Sequence, residues 1–213
     1  MEIVLKNLTK VINGNCVVNN VNLTLHSGNI YGLCGYNGCG KTMLMRLIAG
    51  LIRPTEGSIT IDGKQLGKDM DFPPELGILI ENPAFLGGYS GYDNLKLLAS
   101  IKGEIGADNI NNILKQVGLS DSAEKKYRKY SLGMKQRLGI AAAIMEKPKL
   151  LILDEPTNAL DAEGVKNIKQ IVVNERKRGA LVIMTCHDRA ILDDLCDKIF
   201  NIENGAIVEG ECS

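Results

Sequence analysis

Charge of either sign is what this sequence does not accumulate. Lys and Arg together number 25, Asp and Glu number 25, and the formal net charge is zero. That balance gives no basis for a nucleic-acid partner, whose binders carry a basic excess, and the short basic run "EKKYRKY" (124–130) reads as a solvated helix end. Long apolar runs are missing too: no stretch approaches 18 unbroken apolar residues, so the chain is not expected to cross a membrane itself. Six cysteines, at 16, 34, 39, 186, 196 and 212, include no C-x-x-C pair. Most sit in apolar runs, which fits reduced thiols better than disulfides or zinc. The opening "MEIVLKNLTK" has the layout of neither a secretory signal nor an Arg-rich transit peptide. Low-complexity tracts, linkers and internal repeats are also lacking, so a single domain over 1–213 is expected.

Within that domain, four short runs rich in branched residues do not alternate: "IYGLCG" (30–35), "LGILI" (76–80), "LLILD" (150–154) and "ALVIMT" (180–185). Such runs predict strands covered on both faces, as in a parallel sheet. Helical patterns lie over 41–51, 132–145 and 162–178, the last stopped by Gly179. Near the start, "IVLKNL", "CVVNNVNLTL" and "SITIDGKQL" alternate or carry the hairpin dipeptide Asp62-Gly63, which predicts a flanking antiparallel β layer. The stretch from about 82 to 147 is expected to form a mainly helical lobe, with a capping box at "SGYD" (90–93) and Ser131 as a second N-cap. Met43, Met45, Met145 and Met184 read as core fillers and His26 as an exposed turn residue.

"GYNGCGKT" (35–42) follows the first of those strands and opens a helix. Its spacing, Gly35-x4-Gly40-Lys41-Thr42, is the phosphate-loop pattern. Backbone N–H groups ring the anion, the lysine adds a point charge, and the threonine hydroxyl can ligate Mg²⁺. Phosphates would then lie at a helix N-terminus, which favours negative charge. A second element, "LLILDEPTNALD" (150–161), ends an apolar strand on Asp154 and Glu155 at the edge where α/β sheets bind ligands. Asp154 suits a divalent metal, and Glu155 could take a proton from an attacking water. "YSLGMKQR" (130–137) and "TCHD" (185–188) complete the set; His187, taken alone, reads as structural.

In this order the four elements resemble the ATP-binding subunit of ABC transporters, from Leu5 to about Glu209. "YSLGMKQR" stands where that family carries its "LSGGQ" signature, with Ser131 and Gly133 retained; "NALD" (158–161) matches the D-loop, and His187 the switch histidine. The resemblance implies an α/β phosphate-loop NTPase with a mixed, mainly parallel core sheet, an N-terminal antiparallel layer and an inserted helical lobe. It implies ATP and Mg²⁺ as cofactors, with Asn37, Gly38, Cys39, Gly40, Lys41, Thr42 and Met43 around the nucleotide and Ile12 against its base. Ser131 and Gly133 would complete the site of a second ATP-binding subunit docked head-to-tail. Glu155, His187 and Lys41 take the catalytic roles, and Thr42, Asp154 and Glu81 the metal. A transmembrane permease is the implied partner, giving a cytoplasmic, peripheral location.

Three positions depart from the family pattern: Ile12 replaces a base-stacking aromatic, Glu81 replaces the Q-loop glutamine, and Leu132, Met134 and Lys135 replace small and polar signature residues. With them, "LIENPAFL", "GYDNL" and "YSLGMKQRLGIA" resemble the exporter ATPases linked to bacitracin and lantibiotic resistance. That likeness implies a Gram-positive cytosol and a peptide or lipid-like cargo handled by the permease. Tyr89 and Tyr92 would border the permease groove. A soluble ABC-type ATPase, or an ATP-gated clamp uncoupled from transport, is the alternative.

Overall fold

The computed structural model describes residues 1–208; Cys212 and the end of the resemblance at Glu209 lie outside them. Two sheets form its frame. β1 (Glu2–Ile12), β2 (Asn15–His26), β4 (Glu56–Ile61) and β5 (Lys64–Gln65) make an antiparallel sheet in the order β2-β1-β4-β5. The larger sheet has the order β10-β9-β3-β8-β7-β6, using β3 (Ile30–Cys34), β6 (Leu76–Leu79), β7 (Leu150–Leu153), β8 (Leu181–Thr185), β9 (Lys198–Glu203) and β10 (Ala206–Val208). All its pairings are parallel except that of β10 with β9.

β7 and β8 are buried at every residue, and their side chains divide by parity as a pleated strand requires. Leu150, Ile152, Leu181 and Ile183 enter a core shared with the antiparallel sheet and with α1 (Lys41–Ile48). Leu151, Leu153, Val182 and Met184 enter the opposite core. There they meet α2 (Gly91–Lys102), α3 (Ala107–Gln116), α4 (Leu132–Ile144), α5 (Ala162–Lys177) and α6 (Arg189–Leu195). The parallel register brings the C-terminal ends of β3, β8 and β7 together: Leu33 pairs with Thr185, and Met184 with Leu153. Gly35, Asp154 and Thr185 therefore emerge at one edge, which is where the site lies.

The helical stretch begins with α2. The Ser90 hydroxyl accepts from Asp93 N–H at 3.0 Å and donates to the Asp93 carboxylate at 2.7 Å. Ser131 caps α4 by accepting from Met134 N–H at 3.2 Å. The Asp62-Gly63 hairpin is present, with positive φ at both residues and Ile61 paired with Lys64.

Three expectations need correction. The run 124–130 is not a plain solvated helix end: it holds a 3-10 turn, Tyr127–Lys129, whose flanking lysines are exposed while Tyr127 and Tyr130 are buried. Their hydroxyls donate to the carbonyls of Pro83 and Ser122, so the tyrosines serve the core despite the cations around them. Among the cysteines, 16, 39, 186 and 196 are free thiols, whereas Cys34 is disulfide-bonded; nothing in its apolar strand context marks it in sequence. His26 ends β2 rather than occupying a turn, although it is exposed as expected. Met45, Met145 and Met184 are core residues, whereas Met43 is only half-buried against the core.

Candidate active site

The loop 35–40 and the start of α1 wall a cavity of about 340 Å³, lined also by Val17, Met43, Asp154, Glu155 and His187. No side chain caps α1 and no acidic residue lies in its first turn, whereas α2, α4, α5 and α6 are each capped by a serine or aspartate. A helix start left open beside a lysine is an anion site. Lys41 Nζ meanwhile donates to the carbonyls of Gly35 (2.7 Å) and Tyr36 (3.1 Å). Cys39 is buried under the loop, with Sγ 3.9 Å from Nζ.

Asp154, nearly buried at 8% exposure, is held from two sides. Thr42 Oγ1 donates to Oδ2 and Thr185 Oγ1 donates to Oδ1, both at 2.7 Å. Thr185 Oγ1 also accepts from Glu155 N–H at 2.8 Å, so one hydroxyl sets the relation between the two acids. Glu155 has a left-handed backbone, φ 49°, and its carbonyl accepts from Gln136 Nε2 at 2.9 Å. Its carboxylate faces His187: Oε2 accepts from the backbone N–H at 3.0 Å, and Oε1 lies 3.6 Å from Nε2. Burial pushes the Glu155 carboxyl above the usual range, opposed chiefly by His187. His187 thus belongs to the site rather than to the core.

A phosphate loop at a parallel strand end, a doubly held aspartate, and a glutamate paired with a histidine coincide with a family match: the model described as ABC transporter matches residues 18–158. The chain belongs to the ABC transporter family. It is an ABC ATPase and an ATP-binding subunit. At 49% identity over 206 residues it matches the uncharacterized ABC transporter ATP-binding protein YybJ of Bacillus subtilis (strain 168), covering 96% of this chain and 94% of the relative. The bacitracin transport ATP-binding protein BcrA of Enterococcus faecalis is 38% identical over 213 residues, covering 98% of this chain and 69% of BcrA. The lantibiotic transport ATP-binding protein SrtF of Streptococcus pyogenes is 36% identical over 205 residues, covering 96% and 88%. A solved ATP-binding subunit of an ABC transporter superposes with TM-score 0.88 at 25% identity, covering 97% of this chain and 88% of that one. A dimeric ATP-binding cassette in a post-hydrolysis state with ADP and Pi shares the fold, with TM-score 0.87 at 24% identity and coverage of 99% and 98%.

In this ABC ATPase, Asn37, Gly38, Gly40, Lys41, Thr42, Met43, Asp154, Glu155 and His187 all line the cavity. Ile12, Cys39, Glu81, Ser131 and Gly133 do not. Ile12 closes the β1–β2 hairpin opposite Asn15, and Val17 lines the cavity in its place. The Glu81 carboxylate is taken by Arg46, Nη2 to Oε1 2.5 Å. Ser131 is exposed at the start of α4, and a Cβ on Gly133 would stand 2.6 Å from the Ala159 carbonyl, so the D-loop lies against the signature. Sequence alone does not single out Thr185, Gln136 and Val17. "TCHD" contained Thr185, but nothing there distinguishes a hydroxyl aimed at two acids from an ordinary strand residue.

Thr185 offers a clean test of this wiring. Thr185→Val keeps the shape but leaves Asp154 Oδ1 and Glu155 N–H short of a partner, and should cost about 1–3 kcal/mol. Denaturant unfolding checks the loss.

Proposed function

We propose that this ABC ATPase powers a separate membrane permease through nucleotide-dependent pairing of two ATP-binding subunits, and that the cargo is an exported peptide antibiotic or related amphiphile. The observation that carries this reading is the division of the site. Phosphate loop, Asp154, Glu155 and His187 share one cavity, while Ser131 and the start of α4 stand exposed outside it. A second ATP-binding subunit docked head-to-tail would bring that helix N-terminus against the open side of the triphosphate. The transport functions in the names of BcrA and SrtF support the cargo class.

On this reading Lys41 exchanges the loop carbonyls for phosphate oxygens. Thr42 and Asp154 are oxygen donors of the kind Mg²⁺ prefers, and the ion would neutralise charge on the β- and γ-phosphates when bound. Asp154 reaches that role already fixed by its two hydroxyl partners. Glu155 accepts the proton of the attacking water, and His187 holds the Glu155 carboxylate in position. The whole of 1–213 then acts as one nucleotide-binding domain, with the helical lobe over about 82–147 receiving the permease near Tyr89 and Tyr92. Among the described residues no helix is long and apolar enough to cross a membrane. In the proposed assembly the membrane is met through the permease, on its cytoplasmic face, and no nucleic acid takes part. Pull-down from membranes tests this: a hydrophobic multi-span partner is expected, and recovery with ribosomes or nucleic acid instead would overturn it.

Two expectations follow for the site. Without an aromatic at position 12, stacking on the base, worth roughly 1–3 kcal/mol on single strands, is lost, so ATP and GTP should bind with comparable affinity in competition titrations. A strong ATP preference would contradict this. The pH profile of hydrolysis is the second. A base works only when unprotonated, and burial raises the Glu155 carboxyl. The acidic limb should therefore lie above that of an ordinary carboxylate. Because His187 lowers that carboxyl, His187→Asn should move the limb further up.

A further inference from the structure

Glu81 follows the strand that ends beside Asp154, yet it does not line the cavity that holds Thr42 and Asp154. Leu79, two residues earlier, accepts from Asp154 N–H at 2.7 Å through its carbonyl, so the end of β6 is tied to the residue that Thr42 holds. The Glu81 carboxylate instead meets Arg46, at 2.5 Å. Arg46 lies one helical turn after Thr42 on α1, so a single face of that helix carries both the hydroxyl on Asp154 and the guanidinium on Glu81. Glu81 itself has φ 61°, a conformation disfavoured for a non-glycine residue, and it opens the segment leading into the helical layer. Two residues on, the Pro83 carbonyl accepts from the Tyr127 hydroxyl just ahead of the signature. The ion pair is thus a tie between the phosphate-loop helix and the entrance to the helical lobe.

We propose that this pair is a latch. Arg46 is a positioning residue that keeps the Glu81 carboxylate off the metal beside Thr42 and Asp154, and Mg-nucleotide has to draw Glu81 from Arg46 before it serves as a ligand. This rests on the cavity's being the Mg-nucleotide site proposed above. Arg46 is 27% and Glu81 62% exposed at the side chain. A pair so open to solvent holds its geometry by only about a two- to fivefold preference. Such a latch tunes metal engagement without preventing it, and salt weakens it.

The test is Mg²⁺ titration of the binding of a fluorescent ATP analogue, followed by anisotropy, for wild type, Arg46→Gln, Glu81→Gln and the double variant. Releasing the latch in Arg46→Gln should lower half-saturating Mg²⁺ about two- to fivefold. Glu81→Gln should show no such decrease, and the double variant should match Glu81→Gln. An unchanged or raised value in Arg46→Gln, or a decrease that persists in the double variant, overturns the proposal. A merely structural role for Arg46 would weaken analogue binding at every Mg²⁺ level without this dependence on Glu81. If Arg46→Gln does not fold, wild type and Glu81→Gln are compared at about 0.05 and 0.5 M KCl, where screening dissolves an exposed pair. The wild-type half-saturation should then fall relative to Glu81→Gln, and a constant ratio overturns the latch. Lys41→Ala, run alongside, separates the two claims: analogue binding unaffected by it sinks the reading of the cavity, whereas its loss with no Arg46→Gln shift sinks the latch alone.

Discussion

Glu155→Gln is expected to cut steady-state phosphate release by about 10²-fold or more, the range a general base contributes, while nucleotide binding persists. The substitution keeps the shape of a side chain anchored by His187 N–H at 3.0 Å and by the Thr185 hydroxyl on its backbone nitrogen. What it removes is the ability to take a proton. The phosphate contacts proposed for the loop and the start of α1 do not use the Glu155 side chain, so affinity has no reason to fall. Turnover at the wild-type rate would show that the base lies elsewhere.

The second large effect concerns the loop backbone. Gly40 has φ 113°, and a Cβ there would lie 2.4 Å from the Val17 carbonyl oxygen. Gly40→Ala meets both penalties. The left-handed backbone alone costs roughly 1–2 kcal/mol, and the contact with a main-chain oxygen of β2 cannot be relieved by a rotamer change. The loop must shift, and its N–H groups shift with it. A drop in ATP affinity of at least about tenfold is expected, since one bidentate or charge-assisted contact is worth that much, together with a lower melting temperature. Gly38 is the control within the same loop: its φ is 84°, but nothing lies within 4 Å of its Cβ position. Gly38→Ala should therefore lose less stability than Gly40→Ala, and equal losses in calorimetry would contradict the steric argument.

These two sites were legible because their sequence signals are local. The glycine spacing and the strand-ending acids each need only a dozen residues of context, and β3, β7 and β8 announce themselves through burial on both faces. The hairpin β9–β10 is faint in sequence, although Asn204-Gly205 marks its turn with positive φ at both residues; "KIFNIE" mixes charge into an otherwise apolar edge-proximal strand and weakens the pattern. The cations that flank Tyr127 and Tyr130 mask them in sequence, and only the tertiary contacts to Pro83 and Ser122 reveal the core role. Val17 in place of Ile12 is a matter of hairpin register, since β1 and β2 contain several register shifts that sequence spacing does not disclose. Glu81 shows the same boundary. Its alignment was readable, but the identity of its partner depends on where α1 points Arg46.

The central claim is that the backbone nitrogens from 35 to 42 and the Lys41 ammonium grip a triphosphate. Calorimetric titration of the purified protein with Mg-ATP, wild type against Lys41→Ala, tests it most directly. Saturable binding that weakens sharply in the variant is the predicted result. Absence of Mg-ATP binding in the wild type, or equal affinity in both proteins, would contradict it.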